Sequence, residues 1–185
     1  KLTKKIVVPS CVQLYGYDQI QYINTRYPFP FRPPFVPHEN PTYHYRRNFT
    51  ITDTQWKYYL NFEGVDSGFY VYVNGRFVGY SQISHSTSEF DLTPYVKKGN
   101  NTLDVIVLKW CASSYLECQD KFRYTGIFRS VYLLKRPKAH ISDFKIETAV
   151  QGDDGLITVR NDSDLTISVR LGKENKDALP NETVC

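Results

Sequence analysis

The sequence of 185 residues has no methionine, two tryptophans and four cysteines, and it contains no long apolar run. A transmembrane helix needs about 20 consecutive apolar residues, so we expect a soluble chain with no membrane partner. The first residues also contain no apolar stretch of the kind that a signal peptide has. Because the chain starts at Lys1 without methionine, we expect it to begin inside a longer gene product. This leaves the choice between cytoplasm and periplasm open.

Motifs of several enzyme classes are missing as well. The sequence has no G-x-S-x-G nucleophile elbow, no glycine-rich phosphate loop and no C-x-x-C pair. Its four histidines lack the spacing of metal ligands. Cys111 and Cys118 bracket one loop, and they either form a bridge or remain free, partly buried thiols. The chain is also too short for a (β/α)₈ barrel, which takes about 250 residues.

The charge of the chain is weakly positive and dispersed. The net charge is +4, and basic residues occur in short groups far apart in the sequence: Lys4-Lys5, Arg46-Arg47 and Lys97-Lys98. A nucleic-acid site concentrates such residues on one face. The pattern indicates solvated surface side chains, and we expect no nucleic-acid partner.

Aromatic residues and turn formers are abundant, with 15 Tyr, 11 Phe, 10 Gly and 10 Pro. Six of the prolines fall between Pro28 and Pro41, which predicts an extended, polyproline-like strap within an irregular segment, residues 1–43. The strap is either a ligand for a peptide-binding module or a cover that packs on the core. The second interpretation is favoured, with Phe29, Phe31 and Phe35 as the packing residues.

A period of two predicts many short strands from Tyr43 onward. The predicted strands cover residues 45–51, 56–62, 69–73, 76–80, 89–92 and 127–134. A run that is apolar on both faces predicts one more strand over residues 103–110. Asn74-Gly75 predicts a type I′ hairpin turn, and Lys98-Gly99-Asn100 predicts a second turn. Since no window of 11 residues shows helical periodicity, the sequence predicts an all-β fold, a β-sandwich or jelly roll.

A domain boundary is predicted at Lys135-Arg136-Pro137, followed by strands near residues 141–148, 156–159 and 165–169. The roughly 50 remaining residues are too few for an immunoglobulin-like sandwich, which needs about 100. We therefore expect residues 1–136 to form the first domain. Residues 137–185 are expected to form the first strands of a truncated immunoglobulin-like domain.

Several sequence blocks follow one another in an order that is specific as a set: VPSCVQLYGYD, YINTRYPFP, PPFVPHENPT, FYVYVNGRFVGYSQ, SEFDLTPYVKKGNNTLDVIVLKW and SYLECQDKFRYTGIFRSVYLL. Over Val8 to Leu134 the chain resembles the amino-terminal sugar-binding domain of β-galactosidases of glycoside hydrolase family 2. The segment HISDFKIET is similar to the start of the immunoglobulin-like domain that follows. The resemblance implies a jelly-roll, galactose-binding-like β-sandwich and then an incomplete immunoglobulin-like segment.

The resemblance also implies how the site is shared. Family members are retaining glycosidases whose two catalytic glutamates lie on a barrel further along the chain, so no catalytic residue is expected here. Glu117 and Asp120 are not that pair. Asn24 is implied to reach toward the sugar, and Asp120 is implied to contact both the galactose and a sodium ion. Since the barrel supplies the other sodium ligands, we expect no cofactor on this stretch alone, and magnesium is expected elsewhere in the parent enzyme.

The two implied site residues have competing interpretations. Asn24 also suits an Asx-turn, and Asp120 also suits an ion pair with Arg123 or Arg129. Phe122 stands where the family shows tryptophan, which puts the substrate fit in doubt but not the fold. Cys11-Val12, where the family commonly shows Asn-Trp, is a similar departure.

The family domain has a further strand ahead of the VPS block, and the resemblance leads us to expect that the chain begins after it. We therefore expect open strand edges and hypothesise a homo-oligomer formed through them. The leading functional interpretation is a non-catalytic sugar-binding and structural part of a β-galactosidase that hydrolyses terminal β-D-galactosides. Its expected partners are the galactoside and the barrel. An independent carbohydrate-binding module is the alternative, and a protein-interaction scaffold is a third interpretation that has no motif.

Overall fold

The computed structural model describes residues 4–152 and 154–184. The chain divides into two compact units, Lys1–Lys135 and Arg136–Cys185. Regular structure in the described residues is strand apart from two short 3₁₀ helices, Val12–Tyr15 and Ala112–Tyr115, so the all-β prediction is confirmed. No described helix combines the length and the apolar composition that crossing a bilayer requires.

The strands follow one another along the chain as β1 (Gln21–Tyr22), β2 (Thr42–Ile51), β3 (Lys57–Phe62), β4 (Val65–Asp66), β5 (Gly68–Val73), β6 (Arg76–Ser81), β7 (Ser88–Asp91), β8 (Gly99–Leu108), β9 (Phe122–Arg123), β10 (Gly126–Ile127), β11 (Val131–Arg136), β12 (Phe144–Gln151), β13 (Asp154–Asn161), β14 (Ile167–Leu171), β15 (Glu174–Ala178) and β16 (Thr183–Val184).

Two sheets, ordered β2-β8-β5-β6 and β11-β3-β7, enclose the core of the first unit. Side chains alternate across each strand, because successive residues point to opposite faces. On β5, Phe69, Val71 and Val73 are buried, whereas Tyr70 and Tyr72 between them are only half-buried. The core draws on both sheets and the elements between them: Ile51, Tyr58, Leu60, Phe62, Val65, Phe69, Val71, Val73, Leu92, Val105, Val107 and Ile127.

The predicted type I′ turn is present between β5 and β6. Asn74 and Gly75 have φ values of 53° and 78°, both in the left-handed region that this turn requires. The turn is also tied to β8, because the Asn74 amide donates to Asn101 Oδ1 at 2.8 Å. Asn101 is 1% exposed, so the tie is made in the interior.

Several predicted strand ends are wrong, because the partner strands decide where a strand begins and ends. β2 begins inside the segment predicted to be irregular, and β8 starts at Gly99, so the turn predicted at residues 98–100 is absent except for a bend at Lys98. Ile51 pairs with Gly99, which extends the ladder along the full length of both strands. The strand predicted over residues 127–134 is interrupted, because the amides of Phe128 and Arg129 donate to Gly64 O between β10 and β11.

The proline-rich strap packs on the first unit mainly through one of its three phenylalanines. Phe29 is 9% exposed, and its ring centroid lies 5.0 Å from Trp110 and 5.2 Å from Tyr115. Phe31 also contacts Tyr115, with 5.6 Å between ring centroids, although 65% of it stays exposed. The predicted packing is wrong for Phe35, which is 75% exposed. The reason is a turn at Pro33-Pro34, closed by the Phe35 amide on Arg32 O.

The second unit contains the sheets β12-β13-β16 and β14-β15. The three strands predicted in it are present with shifted ends, and the charged strand β15 and the short β16 were missed. Asn161 is fully buried and donates to the carbonyl oxygens of Leu165, Ala178 and Leu179. The immunoglobulin-like identity of this unit and the boundary at residue 136 stay predictions.

Candidate functional site

A two-stranded ribbon brings the two predicted site residues together. β1 pairs antiparallel with β9 in the register Gln21↔Arg123 and Tyr22↔Phe122. Asn24 follows β1 by two residues and Asp120 precedes β9 by two, so both lie in bends that adjoin the same end of the ribbon. Asn24 and Asp120, nearly one hundred positions apart in the sequence, are therefore brought to the same end of one ribbon. Their roles in binding stay predictions.

Asp120 is exposed and is held by a tyrosine. Tyr22 Oη donates to Asp120 Oδ1 at 2.5 Å, and this hydrogen bond is the main reason that the pKa of Tyr22 is raised. The ion pair considered for Asp120 does not form among the described residues. Arg123 donates to the carbonyl oxygens of Glu117 and Gln119, and Arg129 donates to a carbonyl elsewhere.

Asn24 lies in an exposed bend after β1. Its side chain makes no hydrogen bond to another described residue, so the alternative in which it closes an Asx-turn is not seen. An exposed primary amide offers both a donor and an acceptor, which suits a sugar hydroxyl.

Two charged side chains, Glu117 and Arg123, hold the loop before Asp120 in place through hydrogen bonds. The Glu117 carboxylate accepts from the Ser84 amide at 3.1 Å and from Ser84 Oγ at 2.6 Å. Arg123 is 8% exposed, and its third described bond reaches Cys118 Sγ at 3.0 Å. Cys111 and Cys118 are free thiols, so the bridge considered between them is wrong.

A small polar cleft of about 20 Å³ lies beside the Asp120 loop. Within it Lys121 Nζ is 3.1 Å from Asp66 Oδ2. Burial raises the pKa of the Asp66 carboxyl, although the Lys121 ammonium acts in the opposite direction. The residues that line the cleft are Asp66, Lys109, Trp110, Ser114, Glu117, Lys121, Arg123, Tyr124 and Thr125.

Tyr22, Asp66 and Lys121 were missed by the sequence interpretation. Asp66 lies 55 positions from its partner, so no local pattern connects the two. Tyr22 stands two residues before Asn24, but only the pairing of β1 with β9 reveals that it faces Asp120.

Exposed apolar side chains occur in the ribbon and in the segments before and after its strands. Tyr22 and Phe122 are 50% and 54% exposed, with their ring centroids 5.4 Å apart, and Leu116 is 87% exposed. Together with Phe31 these residues form what we call the apolar rim: Tyr22, Phe31, Leu116 and Phe122.

Metal ligands are sparse in the described part of the chain. No group of three or more His, Cys, Asp or Glu side chains lies close enough together there to hold an ion. Asp120 nevertheless offers Oδ2, a hard oxygen that has no described partner, and such an oxygen suits a hard cation. One such ligand fits a shared sodium site, but not a site made by this chain alone.

Comparisons with known proteins agree with this architecture. Residues 1–137 match the family model described as glycosyl hydrolases family 2, sugar binding domain. A β-galactosidase of Staphylococcus xylosus is 58% identical over 82% of this chain and 15% of its own length. One of Priestia megaterium is 43% identical over 92% of this chain and 18% of its own length.

Among solved structures, a β-glucuronidase of Bacteroides uniformis has a TM-score of 0.58 at 21% identity, covering 77% of this chain and 20% of that one. A β-glycosidase of Bacteroides vulgatus has a TM-score of 0.54 at 28% identity, covering 75% of this chain and 18% of that one. The chain therefore spans about a sixth of the length of the curated relatives. The fold, the collinear sequence blocks and the family model all agree, and the chain belongs to the glycosyl hydrolases of family 2, where it corresponds to the amino-terminal sugar-binding domain.

Proposed function

We propose that this chain forms one wall of the galactoside site of a β-galactosidase, with Asn24 and Asp120 as the residues that bind the sugar. The observation that carries the proposal is the β1–β9 ribbon, which presents both side chains at one exposed end. An amide and a carboxylate together offer donors and acceptors for adjacent sugar hydroxyls. Relatives that are named β-galactosidases support the choice of substrate.

The chain by itself hydrolyses nothing in this proposal. A retaining glycosidase needs two carboxyl groups about 5–5.5 Å apart, one acid/base and one nucleophile. Glu117 is committed to Ser84, and Asp120 is committed to Tyr22. The two glutamates would come from the barrel of a longer polypeptide, and Asp120 would supply one carboxylate oxygen to a sodium ion shared with that barrel.

The apolar rim is the surface that would contact the barrel. Leu116 and Phe31 are strongly exposed, and their burial would contribute to docking at about 25 cal/mol per Å² of apolar area. Open strand edges support a second contact, between copies of the chain. Among the described residues β11 is an edge strand of the sheet β11-β3-β7. A single monomeric species in light scattering across a concentration series would contradict the homo-oligomer.

The sugar-binding role is tested in the full-length protein that carries this chain. We expect Asp120→Asn and Asn24→Ala each to raise the KM for a nitrophenyl β-galactoside about tenfold or more, since the first removes a charged hydrogen-bond acceptor and the second removes the amide. Asn100→Ala, an exposed amide on β8, is the matched control and should leave KM unchanged. Unchanged kinetics in both site variants would contradict the proposal, as would turnover by the 185-residue chain alone.

An independent carbohydrate-binding module is a second candidate function, because one sheet face carries a row of aromatic side chains. On the outer face of the four-stranded sheet, Tyr70 lies 4.7 Å from Tyr80 and Tyr72 lies 5.5 Å from Phe77, measured between ring centroids. Cross-strand packing explains these pairs, yet Phe77 remains 52% exposed and could stack on a sugar. Calorimetry of the chain with lactose, repeated with Phe77→Ala, separates the two candidates. Binding that depends on Phe77 supports the module, whereas no binding favours the wall.

A further inference from the structure

We propose that Tyr22 and Lys121 are positioning residues: Tyr22 holds the Asp120 carboxylate, and Lys121 holds the loop that carries it. The inference rests on the proposed sugar-binding role of Asp120 and adds to it how the side chain is kept in place. Exposed loop carboxylates sample several rotamers, and ordering one of them on binding has an entropic cost. A side chain held in advance avoids that cost.

Tyr22 acts on the carboxylate itself. Its hydroxyl donates to Asp120 Oδ1 at 2.5 Å, which leaves Oδ2 for a ligand. The tyrosine ring is in turn fixed by the pairing of Tyr22 with Phe122 in the ribbon and by the contact between their rings. The hydrogen bond therefore reaches Asp120 from a neighbouring strand and defines the direction of the carboxylate.

Lys121 acts on the backbone next to Asp120. Its ammonium group lies 3.1 Å from Asp66 Oδ2, and this ion pair fastens the loop to β4. Asp66 is a firm anchor, because it pairs with Gly126 of β10 and its neighbours Val65 and Ser67 are 1% and 2% exposed. Asp120 is thus attached to the ribbon on one side and to the core of the sandwich on the other.

The burial of Asp66 supports a positioning role. A carboxylate taken out of water destabilises the fold unless its partners compensate, and here burial outweighs the attraction to Lys121, so that the pKa of Asp66 is raised. A neutral side chain at residue 66 would stabilise the fold more but would release Lys121. A charge retained at a cost to stability beside a binding residue agrees with a positioning role.

The test measures the Asp120 side chain directly in the 185-residue chain, with no sugar present. Carbon-13 NMR of the Asp120 carboxyl reports its hydrogen bonding, and amide hydrogen exchange of residues 119–123 reports loop opening. We expect Tyr22→Phe to shift the Asp120 carboxyl resonance, because the hydroxyl donor is removed. We expect Lys121→Met to accelerate exchange of the loop amides about tenfold, and Lys121→Arg to restore slow exchange.

Two matched variants separate positioning from general loosening. Tyr132→Phe removes the hydroxyl of an exposed tyrosine on β11, and Lys98→Met removes an exposed ammonium group; both should leave the Asp120 signals unchanged. An unshifted Asp120 carboxyl in Tyr22→Phe, or exchange in Lys121→Met equal to wild type, overturns the inference. Because no sugar is involved, this result is independent of Asp120→Asn kinetics, whose failure would overturn the proposed function instead.

Discussion

Lys109 Nζ lies 2.6 Å from Asp18 Oδ2, with the two side chains 5% and 14% exposed. Asp18 belongs to the irregular segment before β1, whereas Lys109 directly follows β8. The ion pair therefore ties the amino-terminal segment to the four-stranded sheet. It also affects Tyr43, since burial and the Asp18 charge both raise the pKa of that phenol.

Removing one partner of this pair should be strongly destabilising. Asp18→Ala leaves the Lys109 ammonium buried without a counter-charge, and we expect the free energy of unfolding to fall by about 3 kcal/mol. Urea denaturation measures the change. Asp18→Ala combined with Lys109→Met should recover part of the loss, whereas Glu147→Ala, which breaks the exposed pair with Lys145, should cost under about 1 kcal/mol. A loss in Asp18→Ala no larger than in Glu147→Ala would count against this account.

Gly126 should not tolerate a side chain. Its φ is 129°, and an added Cβ would lie 2.7 Å from Tyr45 Oη and 3.1 Å from Ser10 O. Strain and overlap act together, so we expect Gly126→Ala to lower the free energy of unfolding by about 3 kcal/mol. Gly99→Ala is the control, because Gly99 has a φ of 91° with no atom within 4 Å of the added Cβ. Equal losses in both variants would show that overlap contributes nothing.

Asn101→Ala should loosen the hairpin that carries the aromatic outer face. Asn101 accepts from Asn74 Nδ2 and the Lys97 amide, and it donates to the carbonyl oxygens of Lys97 and Gly99. Burying these groups without partners costs about 1–3 kcal/mol. Thermal unfolding should show this loss for Asn101→Ala but not for the neighbouring exposed amide variant Asn100→Ala. Comparable melting temperatures for the two variants would contradict the prediction.

Asp66→Asn should change the pH dependence of stability. The pKa of Asp66 is raised by burial, against the effect of Lys121, and the remaining charged or titratable neighbours are Glu117, His85 and Cys11. With a native pKa above the unfolded one, the folded chain binds this proton more tightly, so the contribution of Asp66 to stability falls as pH rises above about 4.

The free energy of unfolding of wild type relative to Asp66→Asn should therefore decrease between about pH 4 and pH 7. Urea titrations at a series of pH values measure the difference. In a Lys121→Met background the decrease should be steeper, because the compensating ammonium is gone. An increase in the free energy of unfolding of wild type relative to Asp66→Asn as pH rises would contradict the prediction.

Local sequence signals were sufficient wherever a feature depends on neighbours in the chain. Alternation predicted the strand over residues 69–73, and Asn74-Gly75 predicted the turn after it, because both depend on residues within a few positions. The ends of the strands were predicted less accurately than their existence. β8 runs through Gly99 because β2 offers a partner there, which the local turn signal cannot reveal.

The residues of the candidate site also fall into those that the sequence predicted and those that only the structure revealed. Asn24 and Asp120 were named from the sequence through family resemblance, but their meeting at one end of a ribbon depends on β1 pairing with β9. Tyr22, Asp66 and Lys121 were found only in three dimensions.

The sequence by itself therefore determined the all-β class, the hairpin turn and the family, since periodicity, turn chemistry and collinear blocks are properties of the chain as written. The tertiary structure decided which charges are buried and which loops meet. Lys109 meets Asp18, and Lys121 meets Asp66, across 91 and 55 positions respectively. Partners at such separations are chosen by the packing of two sheets around one core, and that choice has no local signature in the sequence.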